Sequence, residues 1–371
     1  MPTPIFIKNI SRYPKILIAL FKDFFQKDEQ IFISPPHKNL RQSTINRTAQ
    51  DNNIHLSIII PVYNVEIFLK KCLDSLSNQK TNINIEIIII NDCSPDNSKE
   101  VIDNFKHLKN TRVINLKENT GISSVRNRGI NAAKGQFIAF LDSDDILCEG
   151  SIQYLYDLAI ENNADIVEGD YIRFSLDSEI KHAVKEQEHN HITLRNSKQI
   201  ASIGSGYLWG KLFNRHLFDK INFPEGLSVE DQITKPLLLR FAKTYIKTNK
   251  PVIYYRNNEH SITNNIKKNN YAWDHLEAMQ YTLATIKDLN LPIDNLTYTL
   301  MLHDSTKLLH GRTKYLEKEK RRYMIRESHN ILQYIESNLD KPLKLTIHQK
   351  IARFAIYRNY YYTWSRISPF L

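Results

Sequence analysis

The feature that most constrains this chain is a set of short, almost unbroken aliphatic runs: Leu56-Ser57-Ile58-Ile59-Ile60-Pro61-Val62, Ile85-Glu86-Ile87-Ile88-Ile89-Ile90 and Phe137-Ile138-Ala139-Phe140-Leu141. A strand with one wet face alternates apolar and polar residues, whereas a run that is apolar almost throughout needs cover on both faces. Parallel sheets flanked by helices supply that cover. The spacers have helical period, and residues 66–79 place Phe68, Leu69, Cys72, Leu73 and Leu76 on one face. Pro95 suits the first turn of a second helix, residues 112–116 read as a short strand, and 121–134 as a third helix leading into the strand 136–141. The pattern predicts an α/β class with a mostly parallel central sheet.

In open sheets of this kind, ligands gather beyond the carboxyl ends of the strands, near the point where strand order reverses. Polar residues stand at each such end: Tyr63 and Asn64, Asp92 and Ser94, and Asp142-Ser143-Asp144-Asp145. On an extended backbone residues i and i+2 share a side, so Asp142 and Asp144 are expected to aim at one point. At about 4 Å and an effective dielectric near ~20, their charges repel by roughly 4 kcal/mol. A hard divalent cation, Mg²⁺ or Mn²⁺, would relieve that repulsion and complete its shell with water and phosphate oxygens. The competing reading makes these aspartates ordinary strand-end and helix-cap residues.

The stretches PVYNVEIFLKKCLDSL, IIIINDCSPDNS, NLKENTGISSVRNRGINAAKGQFIAFLDSDD, WGKLFNRHLF and FPEGLSVED resemble, in order, those of family 2 glycosyltransferases, over roughly residues 55 to 260. The resemblance implies a GT-A fold, Rossmann-like with flanking helices. It also implies an inverting, metal-dependent transfer of a sugar from a nucleotide diphosphate to an acceptor hydroxyl. On it, Pro61, Val62 and Tyr63 flank the base, Asp92 accepts the N3–H of uracil, and Ser94 stands beside it. The family's Asp-Asp-Gly reads Asn91-Asp92-Cys93 here, and cysteine lacks glycine's tolerance of positive φ. Asn119, Gly121 and Arg126 fall in the stretch N-x-G-x-x-x-x-R-N-x-G that ends at Gly129. Arg126 is either a fork for the donor phosphates or a solvated helix charge. Asp142 and Ser143 are expected at the donor, Asp142 and Asp144 at the metal, with Asp145 as a third member.

Further along, Glu230-Asp231 resembles the acidic pair from which the family draws its general base, with Asp231 the expected base and Glu230 its companion. Inversion needs one base, which takes the acceptor proton as the oxygen attacks opposite the departing diphosphate. Partial burial, raising the Asp231 pKa, would strengthen it. The pair also suits the positive end of a helix running to about Phe241. Trp209 and Lys211 match the family's W-x-K: the indole is expected to stack on a sugar, or to be core, and the ammonium to meet an acceptor or phosphate oxygen. Tyr254-Tyr255-Arg256 match its Y-Y-R, and His260 beyond is either a diphosphate contact or structural.

Cys72, Cys93 and Cys148 show neither metal nor disulfide spacing, which fits a reducing cytoplasm. No run reaches the roughly 20 apolar residues of a membrane span. Residues 1–27 join Ile16-Leu17-Ile18-Ala19-Leu20-Phe21 to Lys8, Arg12, Lys15, Lys22 and Lys27, and beyond Asp340 basic residues interleave with aromatics and no acid occurs. Such ends suit peripheral contact with an anionic membrane, at its inner face and beside a lipid-linked or glycan acceptor; packing within the protein is the alternative. The net charge of +10 raises nucleic acid as a partner, but no nucleic-acid fingerprint accompanies it and none is expected.

The expected organisation is an N-terminal amphipathic segment and linker (1–53), a GT-A domain (54–264) and a helical C-terminal extension (265–371). The expected activity is hexosyl or N-acetylhexosaminyl transfer from a UDP-sugar to a growing surface glycan. Two alternatives stand. A nucleotidyltransferase would show a Gly-rich basic loop where Pro61-Val62-Tyr63-Asn64 stands, and a non-catalytic glycan-assembly protein would bind donor without turnover.

Overall fold

The computed structural model describes residues 14–24, 44–106, 108–182, 189–258, 271–339 and 341–371. The chain divides into two compact units, Asn39–Asn265 and Met1–Lys38 with Ile266–Leu371; helix α1 (Pro14–Phe24) belongs to the latter.

In the former unit, strands β1 (Leu56–Val62), β2 (Ile85–Asn91), β3 (Thr111–Asn115) and β4 (Phe137–Phe140) are joined by helices α2 (Glu66–Ser77), α3 (Ser98–Phe105) and α4 (Ile122–Ala132). They pair in parallel in the order β3-β2-β1-β4, so the direction of strand succession reverses between β1 and β4. Every residue of β1 is buried, as its aliphatic run requires. Beyond β4 the sheet is mixed, a feature that apolar patterning alone does not show. Strands β5 (Ile146–Leu147), β6 (Ile166–Phe174), β7 (His191–Leu194), β8 (Lys211–Asn214) and β9 (Tyr245–Arg256) follow, with helices α5 (Ser151–Glu161) and α6 (Ser197–Ile203) between them. The order continues β4-β8-β6-β9-β5, with β8 antiparallel to both β4 and β6 and β7 paired to β9.

The helix expected from Glu230 to Phe241 is broken. Glu230–Ile233 is a 3₁₀ turn, Thr234–Leu238 is π-helical and only Leu239–Phe241 is α. Pro236 lacks an N–H and its ring crowds the preceding turn, so regular hydrogen bonding cannot pass through it.

The other unit is helical: α1 with α7 (Tyr271–Asp288), α8 (Asn295–His303), α9 (Leu309–Thr313), α10 (Lys318–Ser337), α11 (Ile347–Tyr357) and α12 (Tyr361–Ile367). Reciprocal capping boxes, Asp294 with Thr297 and Thr346 with Gln349, start α8 and α11. Asp23 of α1 caps α12, accepting the N–H groups of Tyr362 at 2.8 Å and Thr363 at 2.6 Å. Of the tail aromatics, Phe354, Tyr357, Tyr360, Tyr361 and Tyr362 are half-buried. Trp364 is fully buried and donates its indole N–H to Ser305 O at 2.9 Å, while the Tyr361 hydroxyl accepts from Arg321 at 2.7 Å. Among the described residues no helix is long and apolar enough to cross a membrane.

Candidate active site

β2 ends at Asn91, and the buried Asp92 turns its carboxylate onto the loop that opens α4. Oδ1 accepts from the Thr120 N–H at 2.7 Å and its hydroxyl at 3.0 Å, and Oδ2 from the Gly121 N–H at 2.9 Å. Gly121 takes φ +83°, which is why this entry needs glycine. Cys93 also lies in the left-handed region, at φ +57°, where a side chain is strained.

Helix α4 then offers Ser123, Arg126 and Asn127, spaced to share a face, to the segment carrying Glu230 and Asp231. The Ser123 hydroxyl donates to Leu227 O at 3.1 Å. Asn127 accepts the Phe223 N–H at 2.8 Å and donates to Phe223 O at 2.9 Å and Glu225 Oε1 at 3.1 Å. Arg126, only 4% exposed, donates from Nη2 to Asp142 Oδ1 at 2.8 Å and from Nη1 to Glu230 Oε1. One guanidinium therefore ties the end of β4 to the distant acidic pair. The helix also lies tight on β1, since a Cβ at Gly129 would fall 2.4 Å from Ile59 Cγ2.

Residues 142–145 form a turn, closed by the Asp145 N–H donating to Asp142 O at 3.0 Å. The extended i, i+2 geometry expected for Asp142 and Asp144 is thus replaced by a bend, which still leaves the two charges adjacent. Burial first, and then the charge of Asp142, raise the Asp144 carboxyl, although Asn258 donates to its Oδ2 at 3.1 Å. Asp145 is pushed well above the usual carboxylate range by burial and then by Asp144 and Asp142. Its Oδ1 accepts the Arg256 N–H at 2.9 Å, and its Oδ2 has no partner among the described residues. Arg256, between the rings of Phe68 and Phe174, donates to Asp144 O at 2.8 Å and Asp177 Oδ1 at 2.9 Å.

Burial pushes Glu230 up to about 7, with Asp231 adding to it against the pull of Arg126. Burial works against the Arg126 charge, but Glu230, Asp142 and Asp231 outweigh it and hold its pKa above the ordinary value. Asp231 is half-buried in the 3₁₀ turn. The buried Arg126 guanidinium thus stands among Asp142, Glu230 and Asp231.

Other expected residues stand apart from this cluster. Pro61 and Val62 are buried in β1, leaving a ligand only their backbone, while Tyr63 and Asn119 are exposed. The Ser94 hydroxyl accepts the Asn64 N–H at 3.2 Å, and Ser143 is buried. His260 lies outside the described residues.

The Lys211 expectation needs correction, and of the two readings of Trp209 the packed one is observed. Lys211 does not face a substrate: its side chain is fully buried, with Nζ 3.1 Å from Glu168 Oε2 and donating to Ser205 Oγ and Tyr207 O at 2.5 Å. Lys247, at 2.8 Å, and the Tyr245 hydroxyl also engage Glu168. Trp209 presents no free face. Tyr207 stacks on it at 3.8 Å and 8°, leaving no room for a second parallel ring on that side, so Tyr255, at 4.8 Å and 19°, covers the other.

Sequence reasoning passed over Asn127, Asn258, Arg256 and Glu168 as site residues. Asn127 follows Arg126 within the same motif, Arg256 closes the Y-Y-R, and Glu168 is a lone charge beside Ile166 and Val167; each was a usable signal. Asn258 carried none.

The nine-stranded sheet flanked by helices, with its acidic turn where the strand order reverses, matches the GT-A glycosyltransferase fold of solved structures. The sequence profile described as Glycosyl transferase family 2 matches residues 57–221, a family 2 domain within this chain. The chain is 30% identical over 252 residues to Glycosyltransferase GlyA of Streptococcus pneumoniae serotype 4, covering 64% of this chain and 36% of that protein. It is 35% identical over 229 residues to Putative glycosyltransferase EpsH of Bacillus subtilis (strain 168), covering 57% and 64%. The chain thus spans between about a third and two thirds of these relatives' length. The crystal structure of S. aureus TarS 1–349 in complex with UDP-GlcNAc shares the fold, with TM-score 0.67 and 19% identity over 85% of this chain and 90% of that one.

Proposed function

We propose that this protein transfers a sugar, hexosyl or N-acetylhexosaminyl, from a UDP-sugar to a hydroxyl of a growing surface glycan, with inversion. The observation that supports the reading is the Arg126 bridge, which pairs with both Asp142 and Glu230 and feels the charge of Asp231. The glycosyltransferase names of GlyA and EpsH support the activity, and the UDP-GlcNAc held by TarS supports the donor.

In this reading the uracil N3–H donates to Asp92, whose Oδ2 has one described donor and capacity for another. Tyr63 and the backbone of Pro61 and Val62 flank the base; Ser94, Asn119, Gly121 and Ser143 line the donor. Asp142 and Asp144 would hold Mn²⁺ or Mg²⁺. Their crowding marks a place short of positive charge, and Asp145 Oδ2 is unpartnered nearby. No group of three or more His, Cys, Asp or Glu suited to a metal occurs among the described residues, so water and phosphate oxygens would complete the shell. When bound, such a cation offsets charge on a leaving diphosphate.

Asp231 takes the acceptor proton while that oxygen bonds to the anomeric carbon. The bond from that carbon to the diphosphate oxygen breaks, and its electron pair leaves with the diphosphate. Arg126, committed to Asp142 and Glu230, positions the acidic pair rather than meeting phosphate. Residues 54–264 would carry this chemistry. A cytoplasmic, peripheral contact with the inner face of the membrane is supported by α1, which exposes Lys15, Ile18 and Lys22 at helical spacing. Screening UDP-sugars with Mn²⁺ for acceptor-dependent UDP release tests the reading; no release with any donor and acceptor pair would count against it.

A further inference from the structure

Resting on that reading of the cleft, one exposed cation beside it has a role still unassigned. Tyr207, Trp209 and Tyr255 form a column of near-parallel rings. At its inner end the buried Lys211 ammonium lies 4.1 Å from the Tyr207 centroid, anchored by Glu168. At its outer end stands Arg173, whose guanidinium lies over Tyr255 at 5.6 Å and over Tyr171 at 5.7 Å. The placement follows from the sheet: Tyr171 and Arg173 are two apart on β6 and share a face, and Arg173 is the register partner of Tyr255 on β9.

The column borders the acidic turn. Arg256, next to Tyr255, binds both Asp144 and Asp145, and Tyr255 feels the charges of Asp145, Asp144 and Asp142 after burial as its main perturbation. The buried guanidinium groups here, Arg126 and Arg256, direct their hydrogen bonds to Asp142, Glu230, Asp144 and Asp177. Arg173 is exposed, and no carboxylate pairs with it among the described residues.

We propose that Arg173 recognises a phosphate group at the rim of the cleft, with Tyr171 and Tyr255 holding its guanidinium ready. A fork of N–H donors suits phosphate oxygens, and stacking on rings limits the freedom lost on binding. The phosphate belongs either to the donor diphosphate or to an anionic acceptor.

Calorimetry on the full chain with Mn²⁺, comparing wild type with Arg173→Gln, separates the two. If the donor supplies the group, the variant binds UDP at least fivefold more weakly and uridine unchanged. If the acceptor does, UDP binding is unchanged, and inorganic phosphate, which binds the UDP-saturated wild type, binds the variant at least fivefold more weakly. Unchanged affinities for UDP and for phosphate would overturn the proposal. Arg173→Lys, which keeps the charge and loses the planar fork, should recover part of the lost affinity. Because uridine reports the base pocket and none of these readings needs turnover, a wild type that binds UDP but transfers nothing counts against the catalytic reading alone.

Discussion

Two buried clusters of this protein are built from the same chemistry with opposite balance. Around Arg126, one guanidinium faces Asp142, Glu230 and Asp231, with Asp144 and Asp145 alongside, and burial pushes Glu230, Asp144 and Asp145 upward. Around Glu168, one carboxylate faces Lys211 and Lys247 and accepts the Tyr245 hydroxyl. Burial alone would raise it, but these partners hold it down at about 2. The first arrangement gathers several carboxylates about one guanidinium. The second is satisfied from within and serves as a foundation for the aromatic column.

The contrast can be broken most severely from the acidic side. Asp144→Ala should abolish transfer and weaken UDP binding measured with Mn²⁺, whereas unchanged binding would remove Asp144 from the metal. From the other side, Glu168→Leu leaves the Lys211 ammonium buried without its carboxylate and should cost about 3–5 kcal/mol in urea unfolding, most of it recovered by adding Lys211→Met. The same carboxylate sets an acid limit. With its folded pKa at about 2 and an ordinary value of 4.5, its stabilising share is complete above 4.5 and lost as pH falls toward 2. That share is about 3 kcal/mol, absent in the double variant.

Asn127→Ala sharpens the comparison by loosening the segment that carries Glu230 and Asp231 without touching a charge. Losing these buried hydrogen bonds costs about 1–3 kcal/mol, and kcat should fall about tenfold with UDP affinity unchanged. Cys93→Gly has the smallest effect, a gain of under about 1 kcal/mol in stability, because relief of left-handed strain exceeds the added chain entropy.

What the sequence made legible was local. The aliphatic runs located β1, β2 and β4, and the polar residues ending them marked the edge where the acidic turn lies. The periodic face of residues 66–79 became the buried side of α2, with Leu69, Cys72, Leu73 and Leu76 inside. What escaped depends on partners far along the chain. The antiparallel placement of β8 follows from pairing with β4 and β6, and no periodicity encodes it. Lys211 reads as a contact for an acceptor or phosphate oxygen until Glu168 is found beside it, and Trp209 as either a sugar platform or core until Tyr207 and Tyr255 stack on it. Pro236 is the local signal for the break in the helix after Asp231. The N-x-G-x-x-x-x-R-N-x-G stretch pointed to the right helix while leaving open what its arginine binds.

The central claim is that the acidic turn after β4 and the pair at 230–231 work on one substrate. It is tested most directly by Asp231→Asn, with UDP binding by calorimetry and UDP release measured on the same preparation. Loss of the general base should lower acceptor-dependent release by about 10²–10⁴-fold while UDP affinity stays at the wild-type value. Undiminished release from a correctly folded Asp231→Asn protein would contradict the account.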